Sequence, residues 1–139
     1  MGYSYQNVAS WTNSIDFFNT NSFFFPINRH NSHWTLVHID MVGRTISYYD
    51  SMNGQSDAEN YCPMFRRWLC DAADKRDAPL NLVALGWRDT CAVCPKQTNS
   101  YDCGVYVIKG IEQLSKGLTL KHYEQDIANF RAVNSSTFP

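Results

Sequence analysis

The chain has 139 residues, 12 of them basic and 13 acidic, for a formal net charge of −1. That length fits one domain, and the near-neutral balance excludes a nucleic-acid binder that relies on a broad basic surface. Apolar residues at 44% against 18% charged exclude a disordered chain, and no apolar run approaches the about 18 residues of a membrane-spanning helix.

In chain order, residues 1–21 are polar and broken by Asn and Ser, with Trp11, Phe17 and Phe18 as isolated anchors. They lack the basic-then-apolar pattern of a secretory leader. "FFFPI", Phe23 to Ile27, suits a buried strand, and Pro26 places its end at an edge or a bend. Trp34–Asp40 and Thr45–Tyr49 are β-branched and apolar, and Gly43 between them makes the pair a hairpin. Asn53-Gly54 marks a turn. Ala58 to Lys75 carries Tyr61, Met64, Phe65, Trp68, Leu69 and Ala72 at helical spacing. Leu80 to Trp87 is expected to be a strand and residues 88–101 a polar loop containing Pro95. Asp102 is a candidate N-cap for a helix from Cys103 to Leu114, with Val105, Ile108, Ile111 and Leu114 on one face and Gly117 as its stop. A last helix is expected over Lys121–Ala132, with Tyr123, Ile127 and Phe130 as its apolar stripe. The class is α+β, a mostly antiparallel sheet flanked by helices.

Five cysteines, an odd number with no leader, point to free thiols in a reducing compartment, the nucleus or the cytoplasm. Cys91 and Cys94 form a lone C-x-x-C; Cys62 and Cys70 are too widely spaced to complete a zinc site, so no metal is expected. Cys103 differs from these. At a helix start, the unpaired backbone N–H groups favour a thiolate, the reactive form, and Gly104 lets a substrate backbone approach. The plainer reading is a buried, inert thiol.

A thiolate nucleophile needs a proton partner. His30 lies in a polar turn, His38 alternates within a strand, and His122 opens the last helix. His33 stands where a loop enters a strand, and Asp50 ends the neighbouring strand at the open end of the hairpin. An Asp there can hold the imidazole in one tautomer, or it can simply begin the "DSMNG" turn. Gln97, six residues before Cys103, carries a side-chain amide that can donate to an oxyanion.

Taken together, His33-Trp34, Tyr48-Tyr49-Asp50-Ser51 and Gln97-Thr98-Asn99-Ser100-Tyr101-Asp102-Cys103-Gly104 resemble the ubiquitin-like-protein-specific cysteine proteases. This is the ULP/SENP family of SUMO proteases, related to adenovirus-type proteases. The resemblance runs from about Tyr5 to about Arg131 and implies a papain-like, adenain-like cysteine protease fold. It implies Cys103 as nucleophile, His33 as general base and acid, Asp50 as its orienting group and Gln97 as an oxyanion donor. Trp34 would cover a tunnel that only a Gly-Gly tail can thread, and Trp34 and Gly104 would be the substrate-binding residues. No cofactor is implied. The partner would be SUMO or another ubiquitin-like protein, met by a monomer. The same chemistry on NEDD8, ubiquitin or a viral-type peptide, and a catalytically weak modifier-binding fragment, are the alternatives. The family domain opens with a helical region bearing W-L-N-D, which this sequence does not contain. Residues 1–139 are therefore expected to be a single, N-terminally truncated catalytic domain, with Phe23, Phe25 or Trp34 left exposed along an apolar patch.

Overall fold

A computed structural model describes residues 3–29, 33–52, 58–91, 96–97, 101–118 and 120. The expected Asn53-Gly54 turn, the helix over Lys121–Ala132, His30, His122, Cys94 and Pro95 lie outside them.

Among the described residues, four strands make one sheet in sequence order: β1 (Ser22–Arg29), β2 (His33–Asp40), β3 (Thr45–Tyr49) and β4 (Arg88–Cys91). The first two pairings are antiparallel and the third, β3 with β4, is parallel. The β2–β3 hairpin turns through Met41–Arg44. The Asp40 side chain accepts the Gly43 N–H at 2.8 Å, and Arg44 takes a positive φ of 58°. Three α-helices among the described residues accompany the sheet: α1 (Tyr5–Val8), α2 (Ala58–Asp74) and α3 (Cys103–Ser115).

Side chains alternate across a strand, and the two faces have different partners. Val37, Ile39, Ile46 and Tyr48 meet Cys62, Phe65, Trp68, Leu69 and Ala72 of α2 in the main core, joined by Phe17. Each fully buried aliphatic side chain there contributes about 1.5–3 kcal/mol. Trp34, Leu36 and Tyr49 point to the other face, where they meet Tyr106, Val107 and Gly110 of α3 around a small cavity. The N-terminal segment is tied to α2: Tyr3 donates to Asp71 at 2.8 Å, Lys75 to Asn13 at 2.8 Å, and Arg76 to the Thr12 carbonyl at 2.8 Å.

Three expectations need correction. Leu80–Trp87 is not a strand. The Asn81 side chain caps the Ala84 N–H, Leu85 N–H bonds to Asn81 O, and Gly86 closes the turn at φ 78° with Trp87 N–H on Leu82 O. Asn and Gly thus fold the apolar run into a helical turn, burying Leu82 and Trp87 and leaving Val83 84% exposed. The strand falls instead on polar Arg88–Cys91, where main-chain pairing with β3 decides. In α3 the buried residues are Cys103, Tyr106, Val107 and Gly110, while Ile108 is exposed. The aliphatic stripe is not the face that meets the sheet, because Tyr106, Val107 and Gly110 form that face. Finally, Phe23 and Phe25 are half-buried against Trp68, at ring distances of 5.3 and 5.1 Å, and do not form an exposed patch. Trp34 is the exposed one, at 40%.

Candidate active site

The hairpin's open end brings the first pair together. Leu36 pairs with Tyr49, so continuing that register sets Asp50 opposite Thr35 and on the same face as His33, one diagonal step away. His33 Nε2 lies 2.7 Å from Asp50 Oδ1. Asp50 is buried. Its Oδ1 also accepts the Met52 N–H at 2.8 Å, and its Oδ2 lies 3.8 Å from Arg29 Nη1 and 3.5 Å from the Tyr48 hydroxyl. With Asp50 ionised and His33 neutral, the carboxylate can only accept, so the shared proton sits on Nε2 and Nδ1 keeps its lone pair. That Nδ1 is buried and makes no hydrogen bond among the described residues.

Cys103 is the first residue of α3 and is buried. Asp102 stands at the N-cap position as expected, but its side chain makes no capping hydrogen bond. At φ −91° and ψ 7° it lacks the extended backbone of a capping residue, and its carbonyl accepts the Tyr106 N–H at 3.0 Å. The C-terminal stop falls at Gly117, whose φ is 72°. A Cβ on Gly104 would sit 3.6 Å from Trp34 Cδ1. This contact puts the neighbouring Cys103 and His33 at the same end of the sheet. Because Nδ1 has no hydrogen bond among the described residues, the thiol is not bonded to it.

Gln97 is fastened to the same corner. Its N–H donates to the Ser51 carbonyl at 2.9 Å, and the Ser51 hydroxyl donates to Gln97 Oε1 at 2.5 Å. Lys96, one residue earlier, donates to the Asp50 carbonyl at 3.4 Å, and the Tyr106 hydroxyl to the Lys96 carbonyl at 3.3 Å. The structure thus brings His33 to Asp50, Gln97 to the Ser51 that follows Asp50, and Gly104, the residue after Cys103, to the Trp34 that follows His33. Ser51 and Arg29 were not singled out. The Asp-Ser dipeptide was the available signal for Ser51, and the β1–β2 pairing of Arg29 with His33 was the one for Arg29.

The other thiols and His38 are placed differently. Burial, helped by Asp74 and Asp71, pushes the Cys70 thiol up from its ordinary value against the pull of Arg66. Cys62 is buried under β3. His38 is a core histidine, stacked on Phe24 at 4.5 Å with Nε2 2.9 Å from Ser22 Oγ.

Residues 2–135 match the family model described as the Ulp1 protease family, C-terminal catalytic domain. Sentrin-specific protease 5 of Mus musculus is 30% identical over 129 residues, which is 91% of this chain and 16% of that protein. Ubiquitin-like-specific protease 1A of Arabidopsis thaliana is 29% identical over 136 residues, 94% of this chain and 26% of that protein. The C-terminal Ulp1 protease domain, solved in complex with Smt3, the yeast orthologue of SUMO, superposes with a TM-score of 0.80 at 26% identity. The match covers 91% of this chain and 57% of that one. Ulp1 with its catalytic cysteine oxidised to a sulfonic acid gives the same TM-score and coverage at 25% identity.

Proposed function

The chain belongs to the Ulp1 protease family, and on that premise we propose that it is a cysteine peptidase cleaving after the C-terminal Gly-Gly of SUMO. Both a SUMO conjugate, through its isopeptide bond, and a SUMO precursor would be substrates. The observation that carries this reading is the 2.7 Å His33 Nε2–Asp50 contact. It leaves a buried Nδ1 as the one ring nitrogen able to take a proton, at the corner where α3 presents Cys103.

In this mechanism His33 Nδ1 accepts the Cys103 thiol proton, and Asp50 stabilises the resulting imidazolium. The thiolate attacks the terminal glycine carbonyl carbon. The oxyanion that forms takes hydrogen bonds from the Gln97 amide and a backbone N–H beside Cys103. Collapse breaks the C–N bond, and the imidazolium protonates the departing amine. Water, deprotonated by His33, then hydrolyses the thioester, releasing the SUMO carboxylate and the free thiol. Trp34, half-exposed over Gly104, would select the tail by exclusion, since side chains larger than hydrogen do not pass beneath the indole. The mechanism needs no cofactor.

A panel of SUMO, NEDD8 and ubiquitin, each ending in a C-terminal aminomethylcoumarin amide, tests both chemistry and substrate. Release from SUMO, abolished by Cys103→Ala, is expected. Release from another modifier alone would move the specificity, and release surviving Cys103→Ala would remove the mechanism.

A further inference from the structure

The residue after Asp50 has a task of its own. We propose that Ser51 is a positioning residue that holds the Gln97 amide with its N–H edge toward the oxyanion, an inference that rests on reading Gln97 as an oxyanion donor.

A carboxamide has two unlike ends, and a rotation of its terminal bond exchanges them. One orientation presents two N–H donors to the reacting carbonyl. The other presents the Oε1 lone pairs, which would repel the developing negative charge. Ser51 holds the amide by its oxygen end. Its hydroxyl donates to Oε1 at 2.5 Å, which turns Nε2 to the opposite side. Its carbonyl takes the Gln97 N–H at 2.9 Å, so both the backbone and the side chain of Gln97 are referred to one residue. Ser51 is itself buried, 6% exposed. The rotamer freedom that a Gln side chain would otherwise lose on substrate binding is already removed.

The placement joins two halves of the chemistry. Asp50 sets the tautomer of the base through Nε2, and Ser51 sets the amide of the oxyanion donor. Consecutive residues at the end of β3 therefore align proton transfer and charge stabilisation against one another. Lys96 and Tyr106 add to the fastening, through the Asp50 and Lys96 carbonyls at 3.4 and 3.3 Å. Ser51 also borders the cavity lined by Trp34, Leu36, Tyr49 and Tyr106, so an added methyl group has somewhere to go.

The test is steady-state hydrolysis of SUMO aminomethylcoumarin amide by the full chain and its variants. Loss of one oxyanion donor costs about 10²–10³ in kcat, so Gln97→Ala should fall in that range. Ser51→Ala, which keeps the donor but releases it, should lower kcat roughly tenfold and leave KM within about twofold. Ser51→Thr, which keeps the hydroxyl, should recover most of the loss. In a Gln97→Ala background, Ser51→Ala should cost nothing further. Equal loss in both backgrounds, or no loss in either, overturns the proposal. If Gln97→Ala leaves kcat intact, the oxyanion reading itself fails and Ser51 with it. A readout that needs no turnover separates the two cases: the Gln97 side-chain NH₂ resonances. Ser51→Ala should shift them and Ser51→Thr should not; unmoved resonances in Ser51→Ala overturn the proposal whatever the activity.

Discussion

At the scale of the residue, the site depends on which proton sits on which atom. Asp50 Oδ1 lies 2.7 Å from His33 Nε2, and in the proposed mechanism this leaves Nδ1 to take the thiol proton. An Asn in its place can present an N–H to Nε2, which drives the ring proton onto Nδ1 and removes the base. Asp50→Asn should therefore lower kcat by on the order of 10²–10⁴ with little change in KM, measured on the SUMO coumarin substrate; a fall of less than about tenfold would contradict the role given to Asp50. Gly104 separates stability from activity. A Cβ there reaches only ordinary contact with Trp34, at 3.6 Å, and Ala suits a helix better than Gly by about 0.5–1 kcal/mol. Gly104→Ala should thus melt no lower than the parent while losing kcat/KM, because the methyl group narrows the passage beneath the indole. A thermal melt with a parallel assay decides; unchanged turnover would mean that the tail does not pass between Trp34 and α3.

At the scale of the element, the hairpin carries most of what the sequence disclosed. Two β-branched runs separated by a Gly-containing turn fix the open end, and the open end fixes His33 and Asp50 as neighbours. The Cys103 helix was equally legible, from its first residue to the glycine stop. The runs around β4 were not, because an Asn-capped turn closed by Gly86 overrides apolar pattern in Leu80–Trp87, and pairing with β3 overrides polarity in Arg88–Cys91. The inward face of α3 was hidden for a related reason: its aliphatic stripe outweighs Tyr106 and Gly110 on paper. Ser51 was invisible beyond its place in the Asp-Ser pair, since its partner stands 46 positions away.

The β1–β2 pair also carries a pH response. Burial holds the His38 imidazole below its ordinary value of 6.5, only partly opposed by Asp40. The unfolded chain therefore binds the proton more readily than the fold does. This group's contribution is intact above 6.5 and is lost as pH falls from there toward the depressed value in the fold. His38→Phe keeps an aromatic ring against Phe24 and removes the titration. Urea denaturation at about pH 7.5 and about pH 5 should show a smaller acid-side loss in the variant than in the parent. Equal losses would show that His38 is not held neutral.

At the scale of the whole molecule, one sheet divides two duties. The face bearing Val37, Ile39, Ile46 and Tyr48 is sealed by α2 and the N-terminal segment. The opposite face receives α3, whose first turn reaches Trp34 at the end of the sheet that carries His33 and Asp50. The chain spans 57% of the Ulp1 domain it resembles and a smaller share of its curated relatives. Whether these described elements suffice to engage a modifier is therefore a question for the chain itself. SUMO ending in a vinyl sulfone asks it most directly, because it must be recognised, threaded and attacked before a thioether forms. Incubation with the 139-residue chain, followed by intact mass and peptide mapping, should give one SUMO per chain, attached at Cys103. The adduct should be absent from Cys103→Ala and much slower in His33→Ala. Attachment at Cys62, Cys70, Cys91 or Cys94, or no attachment to a chain that circular dichroism shows to be folded, would contradict the assignment of a SUMO-directed thiol peptidase.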